Sequence, residues 1–133
     1  SIYKPLEEYP VHVKDPKYWG IIKSAMADVI ISNEGTAHHY FLKAPYTAAG
    51  KSGTAQVFSG NKYEKTAYAN IPLALREHTL FIAFSPVENP QIAIAVMIEN
   101  DPSAKPIARQ VLDAYYELNK ETLNTISEDK HED

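Results

Sequence analysis

The sequence predicts an α+β domain in which an antiparallel sheet is flanked by helices. Two apolar runs, "HTLFIAFSP" and "QIAIAVMIEN", are separated by the short segment 87–90 and are typical of a hairpin of buried strands. A third strand is predicted over residues 47–58, and one helical pattern precedes the strands while another follows them. Consecutive strands joined by short or surface connections favour antiparallel pairing, with the helices forming a packed layer on the sheet.

The first helix is predicted in "DPKYWGIIKSAMADVIIS". Asp15 is suited to cap it, and Pro16 suits the first helical position. Apolar residues at three- and four-residue spacing predict its buried face: Tyr18, Ile22, Ala25, Met26 and Val29. Tyr18 and Trp19 are accordingly expected to pack inside the protein, and "NEG" at 33–35 is expected to end the helix.

The last helix is predicted in "SAKPIARQVLDAYYELNK", with Ser103 as its cap. Its expected apolar stripe comprises Ile107, Val111, Ala114, Tyr115 and Leu118, and Tyr116 is expected at the surface. The strand before it alternates large residues with Ala93, Ala95 and Met97. The face with small residues is expected to let a helix approach closely.

Two further segments are predicted to lack regular structure. Residues 59–77 form a long polar loop with room for one helical turn, and His78 at its end is expected to make a structural hydrogen bond. Residues 1–14 are predicted to be an extended connection, and the charged residues 121–133 a disordered tail.

Composition limits the kinds of function that the chain can perform. The 133 residues carry a net charge of −4 with both signs scattered, which argues against a nucleic-acid partner. The sequence contains no cysteine, and its five histidines do not fall at zinc-ligand spacings. We therefore predict no metal and no cofactor.

The stretch "AAGKSGTAQVF" places four residues capable of chemistry on one predicted strand edge. Lys51 supplies a positive charge with three donors, and Ser52 and Thr54, two residues apart, share a face and can both donate to one carboxylate. Gly53 lets a ligand backbone approach closely, and the Thr54 backbone N–H is available to an oxyanion. A solvated strand edge explains the same four residues equally well.

The wider sequence resembles the C-terminal part of the class B penicillin-binding proteins. "GKSGTAQ" is similar to the Lys-Thr-Gly signature of penicillin-binding proteins and serine β-lactamases. "NEGTAHHYF", "REHTLFIAFSP" and "AKPIARQVLDAYY" extend the resemblance over roughly residues 15–118, and they favour the elongation-type members of the family. Residues 15–120 are therefore predicted to be the C-terminal portion of a transpeptidase domain.

The resemblance implies the penicillin-binding transpeptidase or serine β-lactamase-like fold, with the strand at 47–58 bordering the active site. It implies D,D-transpeptidation of peptidoglycan stem peptides through an acyl-enzyme that β-lactams also form. By resemblance, Lys51 is the electrostatic partner of a second-motif serine, Ser52 and Thr54 bind the substrate carboxylate, and the Thr54 N–H is half of an oxyanion hole. Gly53 provides backbone clearance.

The resemblance also implies a place and partners for the whole protein. These are the periplasmic face of the bacterial inner membrane, the rest of the same transpeptidase polypeptide, and the glycosyltransferase and scaffold proteins of the elongation complex.

The family's serine nucleophile has no convincing counterpart in this sequence. "SGNK" at 59–62 has the Ser-x-x-Lys spacing, but it lies in a Gly-Asn turn rather than at the start of a buried helix. We therefore expect the nucleophile, its lysine base and the second motif to lie outside this chain, and the chain alone to be inactive. A division-type transpeptidase, a serine β-lactamase and a non-catalytic penicillin-binding sensor remain alternatives.

Overall fold

The computed structural model describes residues 9–57 and 66–129, with side chains described as far as residue 120. The regular elements are α1 (Lys17–Ile31), α2 (His38–Phe41), β1 (Ala49–Ala55), β2 (His78–Ser85), β3 (Ile92–Ile98) and α3 (Ala104–Asp129). Short 3₁₀ turns at Tyr68–Asn70 and Leu73–Leu75 lie between β1 and β2. Within this part of the chain, no helix combines the length and hydropathy needed to cross a membrane.

The strands form an antiparallel sheet in the order β1-β2-β3, which confirms the predicted hairpin and the α+β class. Buried residues from all three helices meet one face of this sheet in a single core. That core comprises Ile30, Ala37, Phe41, Ala48, Phe81, Ala83, Ala104, Ala108 and Leu112. Because β2 is the central strand of the described sheet, Phe81 lies at the middle of this core and is fully buried.

The predicted packing face of β3 is wrong. Val96 pairs with Phe81, and directly opposed residues project to the same face, so the large residues of β3 pack on the core. Ala95 pairs with Ile82 on the opposite face, where Ile82 and Met97 are 49% and 55% exposed. The close approach comes instead from small residues on the helix, because Ala104 and Ala108 of α3 are buried against the sheet.

The buried faces of α1 and α3 also differ from the apolar stripes predicted from residue spacing. The buried row of α3 is Ala104, Ala108 and Leu112, whereas Val111 of the predicted stripe is 41% exposed. In α1 the buried residues are Ala27 and Ile30, and Tyr18 and Trp19 are 43% and 44% exposed. Both helices have more apolar surface than the described residues cover, so spacing alone did not show which part of it packs.

α3 begins at Ala104, directly after the predicted cap Ser103. α1 begins at Lys17, one residue later than predicted, with Pro16 rather than Asp15 at its N-cap position. The Asp15 carboxylate accepts a hydrogen bond from the Lys17 N–H at 3.0 Å, and α1 ends at Ile31, just before the predicted stop. The Ser103 carbonyl accepts from the Ile107 N–H at 3.1 Å at the start of α3. α3 continues to Asp129, past the boundary predicted at 120, and residues 130–133 lie outside the described part.

His78 makes the structural hydrogen bond predicted for it, and this bond holds the start of β2 to the residues that follow β3. His78 Nδ1 accepts a hydrogen bond from the Asn100 N–H at 3.0 Å, and the Asn100 side-chain amide donates to the Arg76 carbonyl at 2.6 Å. Asn100 has φ 56°, a conformation that asparagine tolerates better than most residues. The same residue therefore turns the chain after β3 and holds the start of β2.

A buried hydroxyl network fastens the other end of the sheet. Ser85 is fully buried, and its hydroxyl donates to the Thr47 carbonyl at 2.5 Å. Since that hydroxyl has a single proton, the Tyr116 hydroxyl, 2.7 Å away, must be the donor in the second bond. The Tyr116 ring also stacks on Tyr46 with a centroid distance of 4.4 Å, so Tyr116 is a packing residue and its predicted surface position is wrong.

Replacing Ser85 by alanine is expected to lower the free energy of unfolding by about 1–3 kcal/mol, because a buried donor and acceptor both lose their partner. Tyr116→Phe keeps the ring stack and removes one donor, so its expected loss is smaller, about 0.5–1.5 kcal/mol. Urea unfolding of the two variants and the parent chain measures both effects. A smaller loss for Ser85→Ala than for Tyr116→Phe would contradict the network.

Tyr46, which precedes β1, connects the start of that strand to α3 through a second polar contact. Its hydroxyl donates to the Asp113 carboxylate at 2.6 Å, and Arg109 Nε contacts both oxygens of the same carboxylate at 2.8 Å. Burial, followed by the hydrogen bond to Asp113, raises the pKa of the Tyr46 phenol well above its ordinary value near 10. The protonated phenol is therefore the form that the folded state favours.

This preference predicts a pH dependence of stability. Because the pKa of Tyr46 is raised in the folded state, the protonated phenol stabilises the folded chain fully below the ordinary pKa of about 10. This stabilisation is lost as the pH rises from that value through the folded-state pKa. The difference in unfolding free energy between the parent chain and Tyr46→Phe should therefore shrink in alkaline solution. Urea titrations at a series of pH values measure this difference, and a constant gap across the alkaline range would refute the prediction.

Candidate active site on strand β1

Strand β1 lies at an edge of the described sheet and carries the Lys-Ser-Gly-Thr motif. Ser52 pairs with Phe81 and Thr54 with Thr79, so the two hydroxyl residues share a face, as predicted, and this face bears the core. Lys51 and Gly53 pair with Ile82 and Leu80 and therefore lie on the opposite face. The motif thus presents groups on both sides of one strand.

The motif is accessible, although the strand begins in the core. Ala49 and Gly50 are buried, Ser52 is half-buried, and Lys51, Gly53 and Thr54 are exposed. Alternate backbone N–H and C=O groups of an edge strand point away from its neighbour and are available to a ligand. β1 therefore combines a fixed start with an exposed, polar continuation.

The start of β1 is held by contacts that the sequence pattern did not reveal. The Thr47 hydroxyl donates to Glu88 Oε2 at 2.7 Å and accepts the Val87 N–H at 2.9 Å. The hydrogen bond from Thr47 is the main cause that lowers the pKa of the exposed Glu88 carboxyl. Together with the bond from Ser85, these contacts fix Thr47 to the turn between β2 and β3.

Side chains around the motif provide positive charge and hydroxyl donors. Lys51 Nζ donates to the Ser52 carbonyl at 2.7 Å, so its ammonium lies beside the strand rather than extending into solvent. The Ser52 hydroxyl lies 3.2 Å from the Thr36 hydroxyl, a contact across 16 positions of sequence. The hydroxyl pair can donate hydrogen bonds to an anionic group on the face that bears the core, and the Lys51 ammonium adds positive charge along the edge of the strand.

The glycines of the motif region differ in the space around them. A Cβ on Gly50 would lie 2.6 Å from Phe81 Cζ and 2.9 Å from the Ile82 carbonyl oxygen. A Cβ on Gly53 would meet Leu80 Cβ at 3.5 Å, which is ordinary van der Waals contact. Gly50 is therefore required by packing, whereas Gly53 leaves open space beside an exposed strand.

Among the residues whose side chains are described, no serine is followed by a lysine three positions later. Besides "SGNK" at 59–62, the Ser-x-x-Lys spacing occurs at 1–4 and 127–130. The side chains of all three tetrapeptides lie outside the described residues. The described side chains therefore include the motif of β1 but none of these three tetrapeptides.

Comparison with known proteins defines the family. Residues 3–116 match the sequence model of the penicillin-binding protein transpeptidase domain. The chain therefore belongs to the family of penicillin-binding protein transpeptidase domains.

Within that family, penicillin-binding protein 2 (PBP2) is among the similar proteins. The chain is 46% identical over 110 residues to the peptidoglycan D,D-transpeptidase MrdA of Escherichia coli strain K12, covering 80% of this chain and 17% of that protein. The crystal structure of Pseudomonas aeruginosa PBP2 in complex with WCK 5153 matches with a TM-score of 0.63 and 36% identity, over 84% of this chain and 23% of that one.

A complex between PBP2 and MreC from Helicobacter pylori also matches, with a TM-score of 0.62 and 26% identity over 77% of this chain and 17% of that one. These comparisons confirm the resemblance to elongation-type class B proteins and the predicted fold. The chain spans about a fifth of the length of the curated relatives it matches.

Proposed function

We propose that this chain forms the substrate-binding strand and adjacent core of a peptidoglycan D,D-transpeptidase of the elongation type. The observation that carries the proposal is the edge strand β1, which exposes Lys51, Gly53 and Thr54 in a chain that belongs to the transpeptidase-domain family. The relatives named D,D-transpeptidase MrdA support the same reaction. The whole enzyme would act at the periplasmic face of the inner membrane.

The proposed reaction is a two-step acyl transfer on a serine outside this chain. The serine oxygen attacks the penultimate D-Ala carbonyl, its proton passes to a base, and the terminal D-Ala leaves as the amine takes up a proton. An amine of a neighbouring stem peptide then attacks the resulting ester, which forms the cross-link and releases the serine. A β-lactam acylates the same serine by opening its ring.

The residues of β1 would contribute binding and electrostatics to these steps. Ser52 and Thr54 share a face, so both hydroxyls can donate to the terminal carboxylate of the stem peptide or to the carboxylate of a penicillin. The Thr54 N–H would donate to the oxyanion, and the exposed Gly53 would let the peptide backbone lie along the strand. The Lys51 ammonium would stabilise negative charge near the attacking serine.

Partners of the whole enzyme follow from the same proposal. Stem peptides and β-lactams would occupy the edge of β1, and the rest of the transpeptidase polypeptide would supply the missing serine. The solved complex of a PBP2 with MreC supports a scaffold protein as a further partner, and an elongation-complex glycosyltransferase would be another.

A chimera tests the proposal directly. We would replace the matching segment of E. coli MrdA by this chain and measure D-Ala release from a synthetic stem peptide ending in D-Ala-D-Ala, with an amine acceptor present. Release comparable to that by the native relative is expected, and the relative lacking the segment is the inactive control. A chimera that melts cooperatively but releases no D-Ala would contradict the proposal.

A further inference from the structure

We propose that Thr36 is a positioning residue that orients the Ser52 hydroxyl toward the carboxylate of the bound substrate or β-lactam. This inference rests on the proposed function of β1. It assigns a role to the "GTAHH" segment, which lies outside the strand that carries the motif.

The contact between the two hydroxyls joins distant parts of the chain. Thr36 Oγ1 lies 3.2 Å from Ser52 Oγ, and Thr36 precedes α2 whereas Ser52 is in the middle of β1. A serine hydroxyl has one proton and accepts through two lone pairs. If Thr36 donates to Ser52, the Ser52 proton is left to point toward a ligand anion.

The backbone on both sides of Thr36 is fixed, although its side chain is exposed. Ala37 is fully buried and donates its N–H to the Val29 carbonyl at 3.0 Å, and the Gly35 N–H donates to the Ser32 carbonyl at 2.8 Å. A Cβ on Gly35 would clash with the carbonyl oxygens of Val29 and Asp28. The turn that follows α1 therefore fixes the backbone of Thr36, from which its hydroxyl reaches Ser52.

Lys105, at the start of α3, also holds the turn that contains Thr36. Lys105 Nζ donates to the Thr36 carbonyl at 3.2 Å and lies 5.7 Å from the centre of the Tyr40 ring. This contact ties the turn to the first residues of α3, which pack on the same core as β1. Its positive charge also favours an anion near the hydroxyl pair.

The role predicts a specific change in penicillin kinetics of the chimera. Thr36→Val removes the hydroxyl and keeps the side-chain shape, so the dissociation constant K of the non-covalent penicillin complex should rise about three- to tenfold. The acylation rate constant k2 should stay unchanged, because the serine and the oxyanion donors are untouched. Thr36→Ser restores the hydroxyl and should restore K.

Combined variants separate positioning from general stability. Ser52→Ala should raise K by a similar factor, and adding Thr36→Val should raise it no further because the group to be positioned is gone. Lys105→Met should raise K in the same direction, whereas Lys120→Met, a change of an exposed lysine elsewhere on α3, should not. A purely structural role would instead lower the melting temperature and change k2 as well.

The possible outcomes distinguish this inference from the proposed function. A folded parent chimera that penicillin does not acylate would overturn the proposed function and, with it, this inference. A parent that is acylated, together with an unchanged K in Thr36→Val or additive effects in the double variant, would overturn the inference alone.

Discussion

Replacing Lys51 by methionine in the chimera is expected to slow penicillin acylation by about 100- to 1,000-fold, as the loss of one preorganised charge or donor typically does. Lys51 is exposed beside the strand and keeps its ammonium at 2.7 Å from the Ser52 carbonyl. Methionine has a similar length and flexibility without the charge. The loss should therefore fall on k2, because the charge would act on the attacking serine during bond formation.

Two controls make this result specific. Lys51→Arg retains the charge with a different shape, so it should keep part of the rate. Lys120→Met removes a lysine that is exposed far along α3 and should leave k2 unchanged. Equal k2 values for Lys51→Met and the parent would show that this lysine has no part in acylation.

Replacing Gly50 by alanine should lower the free energy of unfolding by about 1–3 kcal/mol, in the range of overpacked cores. The new Cβ would lie 2.6 Å from Phe81 Cζ and 2.9 Å from the Ile82 carbonyl oxygen. Phe81 is fully buried in the centre of the core and the carbonyl belongs to the sheet, so neither atom can move away without disturbing other contacts. Urea unfolding measures the loss.

Gly53→Ala is the matched control, three pairs further along the same strand. Its Cβ would meet Leu80 at 3.5 Å, so the free energy of unfolding should change little. Acylation of the Gly53→Ala chimera should nevertheless be slower, because the added methyl group narrows the approach to the strand edge. Equal destabilisation by the two substitutions would contradict the packing described for β1.

The sheet was predictable because each of its strands has a local signal. The alternation of large and small residues in 91–98 and the short turn before them predict a hairpin. That Ser52 and Thr54 lie on the same face of β1 follows from strand geometry alone. The motif itself was recognisable from four consecutive residues. Its chemical meaning came from the surrounding sequence, since the same four residues suit a solvated edge.

The packing faces were less predictable, because both long helices carry more apolar surface than one contact can bury. Val111 and Trp19 fit an amphipathic stripe as well as Leu112 and Ile30 do, and only the folded sheet distinguishes them. Contacts between distant segments had no local signal either. Thr36 with Ser52, and Ser85 with Tyr116, are pairs of common residues separated by 16 and 31 positions.

The measurement that decides the main proposal is the location of the penicilloyl adduct. The 133-residue chain alone and the chimera would each be incubated with penicillin, denatured, and examined by intact mass and peptide mapping. We expect no adduct on the chain alone, and in the chimera one adduct on a serine contributed by the E. coli relative. An adduct on a serine of this chain would show that the nucleophile lies within it and would contradict the division of roles proposed for β1.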